Sequence, residues 1–341
     1  MPTFKQFLST DTLNTRTLLH EVIPLTGTVV SGTYADLNIK NYTHGMFQSI
    51  YDYPYLSSSA NHILDLTVGY ANNSALSSSA NTQNNKKINI YNQMSQILVG
   101  FDATGSLQNF DQDGDIGSGG IKIKEGFFLS LARLLVKDEI KKGSLSLSLY
   151  RSGSSNSSLG GLVTISDYGA ATDYRTNSPA GEYGVLYTSS VDTGSAVGLI
   201  YYQTGIVALT SSLFTGVFGT RSSTLYTSSV STFIASSSIS SSADAFRNRL
   251  NNIQFNNTTE LNSTIYFCRA NHNEFNYSSN PTYLSGGQIV VKNVASDAPV
   301  SYITTVGLYS AANELLAVAK LSEPLKKSID NELTIRVRLD Y

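Results

Sequence analysis

The residues whose types and spacing come nearest to chemistry form the turn Asn109-Phe110-Asp111-Gln112-Asp113-Gly114-Asp115-Ile116. Oxygen donors stand at alternate positions, a glycine sits at the bend and an apolar residue follows two places later, as in the first eight positions of an EF-type calcium loop. The twelfth position, where such a loop needs a bidentate glutamate, is Gly120, and the flanks do not read as helices. Glu125 would serve only in an altered loop. The favoured expectation is an Asp-rich solvated turn; the alternative is a calcium ion held by Asn109, Asp111, Asp113 and Asp115, and no other cofactor is expected. The four histidines, His20, His44, His62 and His272, lack the spacing of metal ligands and read as surface or hydrogen-bonded residues. Neither a Gly-x-Ser-x-Gly elbow nor a phosphate loop is present. Cys268 lies in the alternating stretch Thr264 to Ala270 and reads as a small buried hydrophobe rather than a reactive thiol. A glycosidase pair is made by folding rather than spacing, so it stands only as a third-ranked reading. The chain is therefore expected to be non-enzymatic.

Composition narrows the partners. The 341 residues are 41% hydrophobic but only 14% charged, against roughly 25% in ordinary soluble domains. Such a surface is polar without being charged, which suggests that partners rather than water cover much of it. A net charge of -2 offers no footprint for nucleic acid. The basic pairs Lys86-Lys87, Lys141-Lys142 and Lys326-Lys327 read as solvated. No run approaches the roughly 18 apolar residues of a membrane span, and the N-terminus lacks the apolar core of a signal peptide. Assembly in the cytoplasm, without membrane or nucleic acid, is the expectation.

The elements that must position these residues fall into three stretches. Residues 1–85 read as an N-terminal arm of irregular structure with some strands. Residues 86–260 read as a mixed helix and β domain with Ser-rich loops. In that stretch a helix is expected over Lys87 to Gly100, from Ile90, Tyr91, Met94, Ile97 and Leu98. A second is expected over Lys124 to Lys142, from Phe127, Phe128, Leu131, Leu134, Leu135 and Ile140, with Gly143 as its cap. The period then shortens to two: Leu145, Leu147 and Leu149 alternate with serines as a strand requires. Strands follow at Leu162 to Ser166, Tyr183 to Tyr187, Val197 to Tyr202 and Ile206 to Thr210, the last two joined by the turn Gln203-Thr204-Gly205. Ser211 to Ser242 reads as a surface loop or partner-ordered extension, after which a helix capped by Ser242 carries Ala243, Phe246, Leu250 and Ile253. Residues 261–341 read as an antiparallel β domain with strands at Thr264 to Ala270, Gln288 to Lys292, Ser301 to Tyr309, Leu315 to Lys320 and Leu333 to Leu339. The fold class is mainly β with a few helices (α+β): antiparallel sheets or sandwich-like domains plus an extended N-terminal arm.

The segment Ile303-Thr304-Thr305-Val306-Gly307-Leu308-Tyr309, with Asn313 to Leu321 and Glu332 to Leu339, resembles the attachment domain of phage tail fibre and tail-collar proteins. That resemblance covers about the last 40 residues. Lys87 to Met94, Arg133 to Ser144 and Asn273 to Pro281 resemble blocks of virion structural proteins of large contractile-tailed bacteriophages. It implies a virion component of the tail or baseplate region, assembling with copies of itself and with other virion proteins. A receptor-binding adhesin, with loops around 170–240 facing a host glycan, and a neck or collar protein are the alternatives. Interface residues are expected at Phe275, Tyr277, Tyr309, Arg336 and Arg338. Phe275 and Tyr277 alternate with amides that would pair with a neighbour's backbone, or else form an edge strand of their own domain.

Overall fold

Phe127 and Phe128 are adjacent in sequence, and both are buried, because they lie on opposite faces of one central strand. In the computed structural model, which describes residues 4–25, 37–116, 119–153, 159–220, 228–277, 284–285, 288–289, 296 and 298–341, the chain divides into two units. The larger is Leu19–Thr259 and the smaller Met1–Leu18 with Glu260–Tyr341. The strands are β1 (Thr12–Leu25), β2 (Ile39–Asn41), β3 (Gln48–Tyr51), β4 (His62–Tyr70), β5 (Phe110–Asp111), β6 (Lys122–Ile123) and β7 (Glu125–Leu131). They continue as β8 (Glu139–Ile140), β9 (Ser146–Gly153), β10 (Leu159–Ser166), β11 (Arg175–Ser178), β12 (Gly181–Tyr187), β13 (Ala196–Tyr201) and β14 (Ile206–Thr210). The last are β15 (Leu250–Ala270), β16 (Leu284–Ser285), β17 (Gln288–Ile289), β18 (Val300–Tyr309), β19 (Leu315–Ser328) and β20 (Leu333–Asp340). The α-helices are α1 (Asn84–Leu98), α2 (Arg133–Val136), α3 (Val230–Ser236) and α4 (Ile239–Arg249). The chain is mainly β with few helices, and its paired strands run antiparallel.

In the larger unit the first part of β15 is followed by β9, β10, β12, β13, β14, β7, β4, β3 and β2. The expected second helix is not formed. Its residues make β7, the single turn α2 and the two-residue β8, and Leu134 is 89% exposed. β7 pairs with β14 on one side and β4 on the other. Phe127 packs on Phe246 of α4 at 4.9 Å between centroids, and Phe128 packs on Phe110 at 5.4 Å and Tyr91 of α1 at 6.2 Å. A strand covered on both faces is apolar at consecutive positions, and such a run contains helical spacings by chance. Gly143 does hold a positive φ of 76°, but in the turn after β8 rather than at a helix end.

Helix α1 forms close to the expected span, with Ile90, Tyr91 and Leu98 buried, although Ile97 is exposed. It comes close to β4 at Gly69, where a Cβ would lie 2.8 Å from Lys87 O and 2.9 Å from Tyr91 N. The hairpin β13–β14 and the Leu145, Leu147 and Leu149 alternation form as expected. The Ser-rich stretch is not simply a loop: Ser229 caps α3 and Ser238 caps α4, each accepting from a backbone N–H three residues on. The fourth helix thus starts before Ser242, which is fully buried, and it ends at Arg249. Leu250 and Ile253 belong to β15, opposite Leu149 and Leu147. Of the expected irregular arm, β3 and β4 are strands of this sheet, and Leu64, Leu66 and Val68 are buried in its core.

In the smaller unit the later part of β15 pairs with β20 from Ser263↔Asp340 to Ala270↔Leu333. Leu333, Ile335, Val337 and Leu339 are the less exposed side of β20, as their alternation with charged residues requires. Strands β18 and β19 form a separate two-stranded ribbon, joined through a turn in which Asn313 holds a φ of 63°. Of the expected strand Gln288 to Lys292, β17 covers Gln288–Ile289 and the rest lies outside the described residues. No helix among the described residues is long and apolar enough to cross a membrane.

Candidate functional site

The aspartate turn is the loop of the β5–β6 hairpin, and the register places Lys122 directly opposite Asp111. One carboxylate oxygen from each of Asp111, Asp113 and Asp115 lies within 4.8 Å of the others. Asp111 is buried; Asp113 and Asp115 are exposed. Lys122 Nζ is in direct contact with Asp111 Oδ2 and lies 3.9 Å from Asp115 Oδ1. Burial, reinforced by the neighbouring Asp113, pushes the Asp111 carboxyl up to about 6, although Lys122 pulls the other way. Asp113 is lowered by its hydrogen bond with Asp111.

The turn is pressed onto β12: Tyr183 donates to Gly114 O at 2.9 Å, and a Cβ at Gly114 would meet Val185 at 2.7 Å. At Gly120 a Cβ would lie 2.9 Å from Asp111 Oδ1 and 3.1 Å from both Asp113 oxygens. The twelfth position therefore closes over the carboxylates and leaves no room for a glutamate. Glu125 is engaged elsewhere, accepting from Ser74 Oγ at 2.6 Å and Ser211 Oγ at 3.4 Å. Asn109 Oδ1 lies 3.4 Å from Tyr91 Oη. Folding thus brings together the three aspartates but supplies Lys122 as their counter-charge, and a divalent cation would have to displace that ammonium from Asp111.

The expected interface residues all lie in the smaller unit. Tyr309 is 46% exposed and packs edge-on to Phe4 at 4.8 Å. Arg336 is exposed on β20 opposite Phe267, and Arg338 bonds Asp340 at 2.7 Å and Ser263 Oγ at 3.1 Å. Phe275 and Tyr277 are partly exposed on a loop rather than an edge strand. Its Asn276 does not await a neighbour: it donates to His272 O at 2.7 Å and accepts from Lys327 Nζ at 2.6 Å.

Lys327 belongs to a group that the sequence reading placed wrongly. Lys87 and Lys327 are fully buried, each donating to three acceptors, and Lys142 sits between Glu139 and Glu182. In each lysine pair the first member is exposed and the second turns inward. The doublet itself gives no sign of this, because the deciding factor is a set of carbonyls distant in sequence. Each histidine has its own partner, local for His44 and His62 and distant in sequence for His20 and His272, and His62 bonds Asp65 at 2.9 Å. Cys268 is half-buried, and burial raises its thiol above the usual range, which keeps it protonated.

The apolar surface of the smaller unit was the feature least visible in sequence. Tyr302, Tyr309, Leu315, Leu316 and Val318 of the ribbon are 46–69% exposed, and Phe4, Phe7, Leu8, Leu13 and Leu18 of the leading segment are 40–56% exposed. Leu308, by contrast, is buried, with Val306, Ala317 and Ala319 partly covered beside it, so near the turn one ribbon face is packed and the other open. The adjacent pair Leu315-Leu316 was the available signal, since a strand with one wetted face should not carry leucine at consecutive positions. Comparison of the chain with protein-family models, with curated proteins and with solved structures gave no match.

Proposed function

We propose that the chain is a non-enzymatic structural component of a phage particle, in its tail or baseplate region, that assembles with copies of itself and with other virion proteins. The observation that carries the assembly part of this reading is the open face of the β18–β19 ribbon. A two-stranded ribbon is marginal in water by itself. Tyr309, Leu315, Leu316 and Val318 are 46–69% exposed there, an apolar area of the kind that forms the core of a protein interface. A solitary chain would leave that area wet. The virion part rests on the resemblance of residues 303–339 and of the three internal blocks to phage tail and virion proteins.

The occupant that fits best is a second copy of this chain, paired through β18. Among the described residues β18 has β19 on one edge and no strand on the other. Its ten residues include no charge and no proline, so neither of those devices blocks edge pairing, and two copies would not repel each other across a two-fold axis. By contrast β19 carries Lys320, Glu323, Pro324, Lys326 and Lys327, and β20 carries Arg336, Arg338 and Asp340. The test is the solution mass of the purified chain by light scattering, beside Thr305→Lys, which puts two like charges near the axis. An oligomer that Thr305→Lys dissociates without changing the far-UV spectrum is the expected result. A chain that is monomeric at about 100 μM, well above a micromolar Kd, overturns the pairing. Antibody labelling of intact particles tests the location, and label confined to the capsid would exclude the tail.

A further inference from the structure

The larger unit holds a cleft of about 430 Å³ that no step of the assembly reading uses. Its size falls in the range of small-ligand sites, about 300–1,000 Å³. Its floor is the sheet face made by alternate residues of β4 and β7, where Asp65 stands opposite Ser130 and Thr67 opposite Phe128. One wall is α1, through Ile90, Gln93 and Met94; the other is the turn between β2 and β3, through Met46 and Phe47. Phe47 is held by Tyr42 and His44, at 4.9 and 5.0 Å between centroids, so the aromatic wall is braced rather than free to collapse inward.

Three polar groups on this apolar frame lack a complete set of protein partners. Asp65 receives His62 Nε2 at 2.9 Å and Ser49 Oγ at 2.5 Å, both on Oδ1, which leaves Oδ2 open. Gln93 lines the cleft with an exposed side chain, and Ser130 with a partly exposed one. An occupant that was apolar throughout would strand these groups away from water, at a cost that disfavours it. A cationic occupant gains less than at a bare carboxylate, because Asp65 already accepts from His62 and Ser49.

We infer that this cleft binds a neutral sugar ring, with its C–H face against Phe47 and Met94 and its hydroxyls on Asp65 Oδ2, Gln93 and Ser130. Such a ring combines apolar faces with hydroxyls on its rim, matching the alternation of braced apolar wall and open polar groups. Among the described lining residues Asp65 is the only carboxylate, so they supply a binding site without the acid pair of a glycosidase. The inference is independent of the pairing through β18.

The test is saturation-transfer NMR with D-glucose, D-galactose, D-mannose and N-acetyl-D-glucosamine and their common disaccharides, with benzylamine as the cationic aromatic probe. At least one sugar is expected to bind with a Kd of about 1–10 mM and to weaken about tenfold or more in both Gln93→Ala and Phe47→Ala. Gln93 is exposed, so its loss leaves the fold intact. Thr305→Lys in the smaller unit should bind that sugar as wild type does, even where it dissociates an oligomer. Absence of binding by every sugar, binding by benzylamine alone, or sugar binding that survives both cleft substitutions would overturn the inference.

Discussion

Replacing Lys87 with methionine removes an ammonium that donates to Thr82 O at 2.8 Å, Ile234 O at 2.5 Å and Ser237 O at 2.8 Å. Those carbonyls belong to the chain just before α1 and to the end of α3, so one side chain fastens two helices that have no covalent connection nearby. A buried carbonyl stripped of its donor costs about 1–3 kcal/mol, and methionine refills most of the volume without offering a proton. The net loss expected at pH 7 is about 3–5 kcal/mol. The pH dependence has a definite sign. Burial lowers the Lys87 ammonium from 10.5 to about 8. Between those values the unfolded chain holds a proton that the folded chain has released, so this lysine makes the wild type gain stability as pH rises from about 8 to about 10.5. Methionine cannot titrate. The stability gap between wild type and Lys87→Met should therefore widen over that window, by no more than about 3 kcal/mol. Urea unfolding followed by far-UV circular dichroism at pH 7, 8, 9 and 10 measures it, with equal denaturant slopes as the check on two-state behaviour. A cost under about 1 kcal/mol at pH 7, or a gap that narrows with pH, would refute the reasoning.

Gly69→Ala should destabilise the larger unit by about 2–3 kcal/mol, because the new Cβ meets backbone atoms of α1 that cannot rotate away; thermal unfolding checks it, and an unchanged midpoint would show that α1 yields freely. For Asp111 the folded carboxyl titrates near 6 against 3.8 for the ordinary group, so the folded chain holds the extra proton and wild type loses stability as pH climbs from about 4 to about 6. Asp111→Asn should flatten that part of the stability curve, measured by the same urea titration from pH 4 to pH 7. If the wild type instead gained stability relative to the variant over that span, Lys122 rather than burial would dominate the site.

Local pattern was enough for the strands that show one face to the core and the other to water. Leu145, Leu147 and Leu149 and the alternation along β20 were readable, since a period of two is a property of the strand itself, while the β13–β14 hairpin, buried on both faces, was readable from its turn Gln203-Thr204-Gly205. So was the mainly antiparallel β character, and so was α1 with its buried Ile90, Tyr91 and Leu98. The sequence also brought Asp111, Asp113 and Asp115 to one turn, because a spacing of two around a glycine acts over a few ångströms.

What tertiary structure alone decided was everything that depends on which distant surface comes to lie against a residue. β7 lost its period because sheet neighbours and two helices cover both its faces, and Phe127 and Phe128 are satisfied by different layers. Lys122 became the counter-ion of the aspartates only through the pairing of β5 with β6, and Lys87 and Lys327 became buried only because remote carbonyls converge on them. The cleft above Asp65 and the open face of the β18–β19 ribbon have the same origin. Both are made by what the fold places opposite a strand, or fails to place there, and a linear pattern records the strand without recording its cover.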